Sequence, residues 1–124
     1  MKNIVIPIDG SEGSKKAMAK AKEFAKAFNS DITLLNVREI PVQEGYYNRI
    51  EDYLVFVKQI SEKVLNEAKE FFSDLGCNIN TISLEGDVAR SIITYVENND
   101  IDLVIIGSEG LNAQGIKKVL IGSV

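Results

Sequence analysis

Short apolar runs alternate along this chain with longer stretches of helical period. Asn3–Ile8 (Asn-Ile-Val-Ile-Pro-Ile) is short and rich in β-branched residues, and it reads as a buried strand of the parallel type. Pro7, with no N–H, suits a point where ladder bonding stops. Asp9-Gly10-Ser11 is a turn into a helix start, with Ser11 or Ser14 as N-cap. From about Gly13 to Phe28, Ala17, Ala21, Phe24, Ala25 and Phe28 recur at steps of three and four and predict one apolar stripe. Asn29-Ser30-Asp31 ends this helix, and Ile32–Val37 is a second apolar strand.

Arg38–Gly45 is a polar loop containing Pro41. A long helix is expected over about Tyr47–Leu75, where Ile50, Leu54, Val57, Ile60, Val64, Leu65, Ala68, Phe71 and Phe72 keep a helical period, with Gly76 as its C′ residue. Ile79–Leu84 alternates, with Ile79, Thr81 and Ser83 on one face and Asn80, Ile82 and Leu84 on the other. Glu85-Gly86-Asp87 turns into a short helix, about Val88–Asn98, and Ile101–Ile106 is the fourth strand. The order β-α-β-α-β-α-β predicts an α/β fold, a doubly wound and mainly parallel sheet. Its crossovers should be right-handed.

Composition narrows the function. The chain has 124 residues, enough for one domain, 1–124. A net charge of −4 argues against general nucleic-acid binding, which needs a basic footprint. No apolar run approaches the roughly 20 residues of a membrane span. The chain enters a strand almost at its first residue, so no signal peptide is expected, and the expected location is cytoplasmic. Cys77 is the only cysteine and has no basic neighbour in sequence, which favours a structural thiol. There is no histidine, which removes Ser–His and Cys–His catalysis.

In open parallel sheets ligands sit beyond the C-terminal strand ends, at a switch in strand order. Three loops reach that edge: Pro7–Ser11, Val37–Glu39 and Gly107–Gly115. Asp9 fits two roles, a ligand-binding acceptor or a capping aspartate of the turn. Gly107, Gly110 and Gly115 fit a phosphate cradle or plain turns, and their spacing matches neither the dinucleotide fingerprint nor the P-loop. Gly122-Ser123 could donate a backbone N–H and a hydroxyl to a phosphate if a helix began there.

Taken together, these segments resemble the universal stress protein family over essentially the whole chain. Asn3-Ile-Val-Ile-Pro-Ile-Asp-Gly-Ser-Glu-Gly-Ser14 is similar to the family's opening strand, aspartate and serine-rich helix start. Gly86-Asp87-Val-Ala-Arg-Ser-Ile92 is similar to its Gly-Asp-x-Ala turn, Asp102–Gly110 to its fourth strand and first glycine pair, and Gly122-Ser-Val124 to its closing Gly-Ser-Val. The resemblance implies five parallel strands, an adenine nucleotide alpha hydrolase-like fold and a homodimer. It also implies ATP or AMP binding in one branch of the family, with Mg²⁺ accompanying ATP, and none in another.

Carried onto this chain, Asp9 and Val37 would hold adenine or ribose. Gly107, Gly110, Gly122 and Ser123 would hold ribose and phosphates, and Pro7 and Val124 would line the pocket. The sequence departs from the family pattern twice. Eleven residues, Leu111–Ile121, separate Gly110 from Gly122 where the family has nine, and the last helix and fifth strand of the family are absent from the chain, as if it were C-terminally incomplete. The expected function is therefore regulatory adenine-nucleotide binding in stress response. The alternatives are a non-nucleotide member acting through dimerisation or partners, and a weak ATP hydrolase relying on Glu109 and Asp9.

Overall fold

The computed structural model describes residues 2–39 and 47–107, with backbone alone for 47–50. Among the described residues, four parallel strands, β1 (Asn3–Pro7), β2 (Asp31–Arg38), β3 (Ile79–Glu85) and β4 (Leu103–Val104), form one sheet in the order β3-β2-β1-β4. Three helices connect them: α1 (Glu12–Phe28), α2 (Tyr47–Phe71) and α3 (Val88–Asn98). The step β1→β2→β3 runs one way across the sheet and β3→β4 runs back. Right-handed crossovers therefore put α1 and α2 on one face and α3 on the other.

Strand parity divides the core accordingly. Ile4, Ile6 and Ile8 of the first strand segment and Ile32 and Leu34 of β2 pack with Ala17, Ala21 and Ala25 of α1, with Leu65 and Ala68 of α2, and with Phe72 just beyond its end. Val5, Leu35 and Val104 pack on the opposite face against Ile92 of α3, with Val37, Ile82 and Leu84 joining them. The alternation expected of β3 holds, since Ile79 joins the first cluster and Ile82 and Leu84 the second. Full burial of each large aliphatic side chain contributes about 1.5–3 kcal/mol.

Local chemistry fixes the element ends. Ser11 is the N-cap of α1, its Oγ accepting from Ser14 N at 3.2 Å, and Asn29 closes the helix in the left-handed region at φ 55°. Asp87 caps α3, its carboxylate accepting from Arg90 N at 3.0 Å. The long second helix is shorter than its periodicity suggests. It ends at Phe71, and Ser73–Leu75 forms a separate 3-10 turn before Gly76. Lys22 of α1 fastens that junction, donating to Phe71 O at 2.8 Å and pairing with Asp74 at 2.8 Å.

Three expected core positions lie at the surface instead: Phe28, Ile60 and Phe71. Phe28 is the last residue of α1 and stacks on Phe24 with ring centroids 6.2 Å apart. Ile60 and Phe71 sit to one side of the α2 face that carries Ser61, Leu65 and Ala68 and leads on to Phe72. Ladder pairing of the fourth strand covers only Leu103–Val104, less than the Ile101–Ile106 expected. Backbone bonds from Asp102 N to Asn3 O and from Ile105 N to Val5 O continue its alignment with β1.

Candidate functional site

The strand order reverses between β1 and β4, where a parallel sheet opens a crevice at its C-terminal edge. Pro7 ends β1 there and is fully buried. Ile8 continues the alignment by donating N–H to Leu35 O at 2.8 Å. Its own carbonyl accepts from the buried Asn36 Nδ2 at 2.8 Å. These two bonds tie the start of the Asp9 turn to β2.

Asp9 itself is exposed, and its Oδ1 accepts from Ser11 N at 2.9 Å. This is an aspartate-stabilised turn, so the capping role is realised. The other carboxylate oxygen has no bond of this kind among the described residues. Gly10 takes φ +84°, a conformation that glycine adopts at little cost.

Val37 lies one strand over, half-buried on the α3 face together with Leu35. Arg38 follows it. Its guanidinium pairs with Glu85 at 3.0 Å, and its carbonyl accepts from Gly86 N at 3.0 Å, joining the ends of β2 and β3. On the other side of β1, Gly107 follows β4 and is buried against the first turn of α1. A Cβ placed on Gly107 would come within 2.3 Å of the Gly13 carbonyl carbon and oxygen and 2.7 Å of Ser14 N. The fold thus brings Pro7, Asp9, Val37 and Gly107 to the ends of three adjacent strands. Gly110, Gly122, Ser123 and Val124 lie outside the described residues, as does Glu109.

Three participants were not picked out as site residues from the sequence. Asn36 interrupts the apolar run Leu34-Leu35-Asn36-Val37, and that is its signal in the sequence. Gly13 and Ser14 carry only the sequence signature of a helix start and cap, and their contact with Gly107 has no local signature.

Known proteins match the chain in both sequence and fold. The model of the universal stress protein family matches residues 1–124. Universal stress protein MJ0531 of Methanocaldococcus jannaschii is 31% identical, with 99% of this chain and 72% of that protein covered. Among solved structures, the universal stress protein UspA from Lactobacillus plantarum superposes with a TM-score of 0.80 at 21% identity, covering 90% of this chain and 80% of that one. A family protein from Arabidopsis thaliana with AMP bound superposes with a TM-score of 0.72 at 16% identity, covering 95% and 85%. Sequence likeness across the whole chain and fold likeness across most of it agree, and the chain belongs to the universal stress protein family.

Proposed function

We propose that this chain is a regulatory stress-response protein that binds ATP or AMP at the C-terminal edge of β2, β1 and β4. The observation that carries the reading is the convergence of Asp9, Val37 and Gly107 on the switch between β1 and β4. Asp9 has a carboxylate oxygen to offer a ribose hydroxyl or base amino group. Val37 offers an apolar edge to a purine, and Gly107 offers backbone that a phosphate can approach. In this reading Gly110, Gly122 and Ser123 complete the phosphate contacts, Pro7 and Val124 line the pocket, and Mg²⁺ accompanies ATP. The fold relative with AMP bound supports the ligand class.

The reading is one of binding, not turnover. The chain has no histidine to serve as a base. Location in the cytoplasm and assembly as a homodimer belong to the same reading. Calorimetric titration of the chain with ATP and with AMP tests it. Saturable binding that weakens in Asp9→Ala is expected, and no heat from either nucleotide at millimolar concentration overturns it.

A second reading has one specific observation in its favour. The Gly110–Gly122 spacing is two residues longer than the family's nucleotide-binding pattern. If that length blocks phosphates, the chain works through dimerisation or partner contacts. Deleting two residues within Asn112–Gln114 should then create nucleotide binding.

A further inference from the structure

The second helix carries two apolar seams, and the fold covers only one of them along its length. Ser61, Leu65 and Ala68 are buried toward the sheet and lead on to Phe72. Beside them runs a second series, Ile50, Tyr53, Val57, Ile60 and Val64, at steps of three and four. Spacing of that kind repeats every seven residues and is the pattern one helix presents to another. Val64, at the C-terminal end of the series, packs on the core and stands beside the Gly10 turn, where a Cβ would come within 3.3 Å of its Cγ2. Toward the start of the helix the series is open. Tyr53 is 42% and Ile60 46% exposed, and Val57 is half-buried.

The sheet is too short to cover it. The 25 residues of α2 span about 37 Å, whereas the 7 of β3 span about 23 Å. Ser61 Oγ lies 3.0 Å from Ser83 Oγ, near the C-terminal end of β3. The helix before Ser61 therefore runs past the C-terminal edge of the sheet. Apolar side chains in series on a projecting helix mark a contact surface, unlike scattered exposure. Val55, 57% exposed, lies on the opposite side of the helix and stands outside the series.

We propose that this face is where two copies of the chain meet, as an antiparallel pair of α2 helices with a two-fold axis near Phe56 and Val57. The homodimer is part of the function proposed above, and the inference rests on that reading for the partner but not for the nucleotide. A two-fold contact must be self-complementary. The stretch before Phe56 carries Arg49, Glu51 and Asp52 and is net negative, and the stretch after Val57 carries Lys58, Glu62 and Lys63 and is net positive. Antiparallel helices bring these unlike ends together, whereas parallel helices would bring like ends together.

The available area sets the strength. Tyr53, Ile60 and the neighbouring Phe56 leave on the order of 300 Å² of apolar surface per copy open to a partner. Twice that, with polar rim in the usual proportion, is about 1,000 Å², the lower bound of a specific interface. The series also covers fewer than the roughly three to four heptads that sustain a coiled coil. The dimer is therefore weak, with a dissociation constant above roughly 1 µM. In dilute solution the face is open, so truncating Phe56 there costs the fold little.

Sedimentation equilibrium of the chain from low micromolar to millimolar concentration tests this, and the parent should pass from monomer to dimer. Ile60→Asp and Tyr53→Asp should each hold it monomeric, with urea midpoints in dilute solution near the parent's, because both positions are exposed in the monomer. Val55→Asp adds the same charge on the opposite side and should leave the dimer intact. Lys63→Glu should weaken the dimer about tenfold, and adding Asp52→Lys should restore it. A parent that stays monomeric at millimolar concentration overturns the proposal and leaves the seam to a helix of another protein. A dimer that survives both seam variants, or that Val55→Asp breaks equally, overturns the surface while keeping the homodimer. No recovery in the double variant overturns the antiparallel pairing. Calorimetry of the parent with AMP reads the nucleotide site separately, so failure of either proposal leaves the other legible.

Discussion

Gly107 and Gly13 meet backbone to backbone: a Cβ on Gly107 would fall 2.3 Å from the Gly13 carbonyl. No flexible side-chain tip can give way there, so the end of β4 or the first turn of α1 must move. Gly107→Ala should therefore destabilise the fold by about 1–3 kcal/mol, the usual cost of overpacking. Urea denaturation checks this, and an unchanged midpoint would contradict the contact. The same variant should weaken AMP binding, because it shifts the strand end that the proposed site uses.

Asp102 gives the sheet a pH-dependent clasp. Its Oδ2 accepts from Lys2 N at 2.7 Å and Asn3 N at 2.9 Å, fixing the start of β1 beside β4. The Asn3 N–H, with that of Lys2 next, holds this carboxyl below its ordinary range. The Asp74 carboxyl is lowered as well, first by its hydrogen bond from Lys22. A lowered folded-state pKa means that the unfolded chain binds protons first as the pH falls. The stabilisation is therefore complete above the unfolded value of about 3.9 and is lost as pH drops through the lower folded value. Asp102→Asn should flatten the acid limb of a melting-temperature profile relative to the parent. Parallel profiles would remove Asp102 from the account.

Two phenylalanines on α2 and at its C-terminal end separate periodicity from burial. Phe72 is 0% exposed and meets Phe71 edge-on at 5.1 Å, whereas Phe56 is 58% exposed. Phe72→Ala should cost about 3–5 kcal/mol, and Phe56→Ala should stay within about 0.5 kcal/mol. Chemical denaturation of the pair checks both. A large loss from Phe56→Ala would mean that this face is covered in solution.

The contrast shows what was legible in the sequence. Alternating apolar runs and helical stretches carried the element order, and the Ser11 cap and the Glu85-Gly86-Asp87 turn carried the helix starts, because these signals are local. The apolar repeat of α2 was also visible, but a repeat does not say where the sheet beneath it ends. Polar contacts mark that end: Ser61 Oγ lies 3.0 Å from Ser83 Oγ, and Ile60 beside it is exposed. At the proposed site, Asp9, Val37 and Gly107 could be placed at strand ends from chain order alone. The backbone contact of Gly107 with Gly13 could not, since it joins residues far apart in sequence and leaves no local pattern.

Cys77 can be tested as a structural thiol. Burial, opposed by a backbone hydrogen bond and aided by the charge of Asp31, pushes its pKa up. The thiolate is the nucleophile, so alkylation by iodoacetamide near neutral pH should run more slowly than for a free small thiol, and should speed up in urea. Rapid labelling of the folded chain would show an exposed, activated cysteine instead.

Asn36 links the fold to the proposed function most directly. Its buried amide donates to Ile8 O, the last carbonyl before Asp9. Asn36→Leu removes that donor and leaves the carbonyl poorly paired, at a cost of about 1–3 kcal/mol. The larger consequence should be positional, because the Asp9 turn loses one of its two ties to β2. AMP affinity should fall even though Asn36 is not among the residues proposed to touch the nucleotide. Phe72→Ala is the control, since it destabilises the chain at least as much from the far end of α2. Calorimetry at a temperature where both variants are folded distinguishes the two. Weaker AMP binding in Asn36→Leu alone assigns Asn36 a positioning role, whereas equal affinities in both variants would reduce it to a stabilising contact.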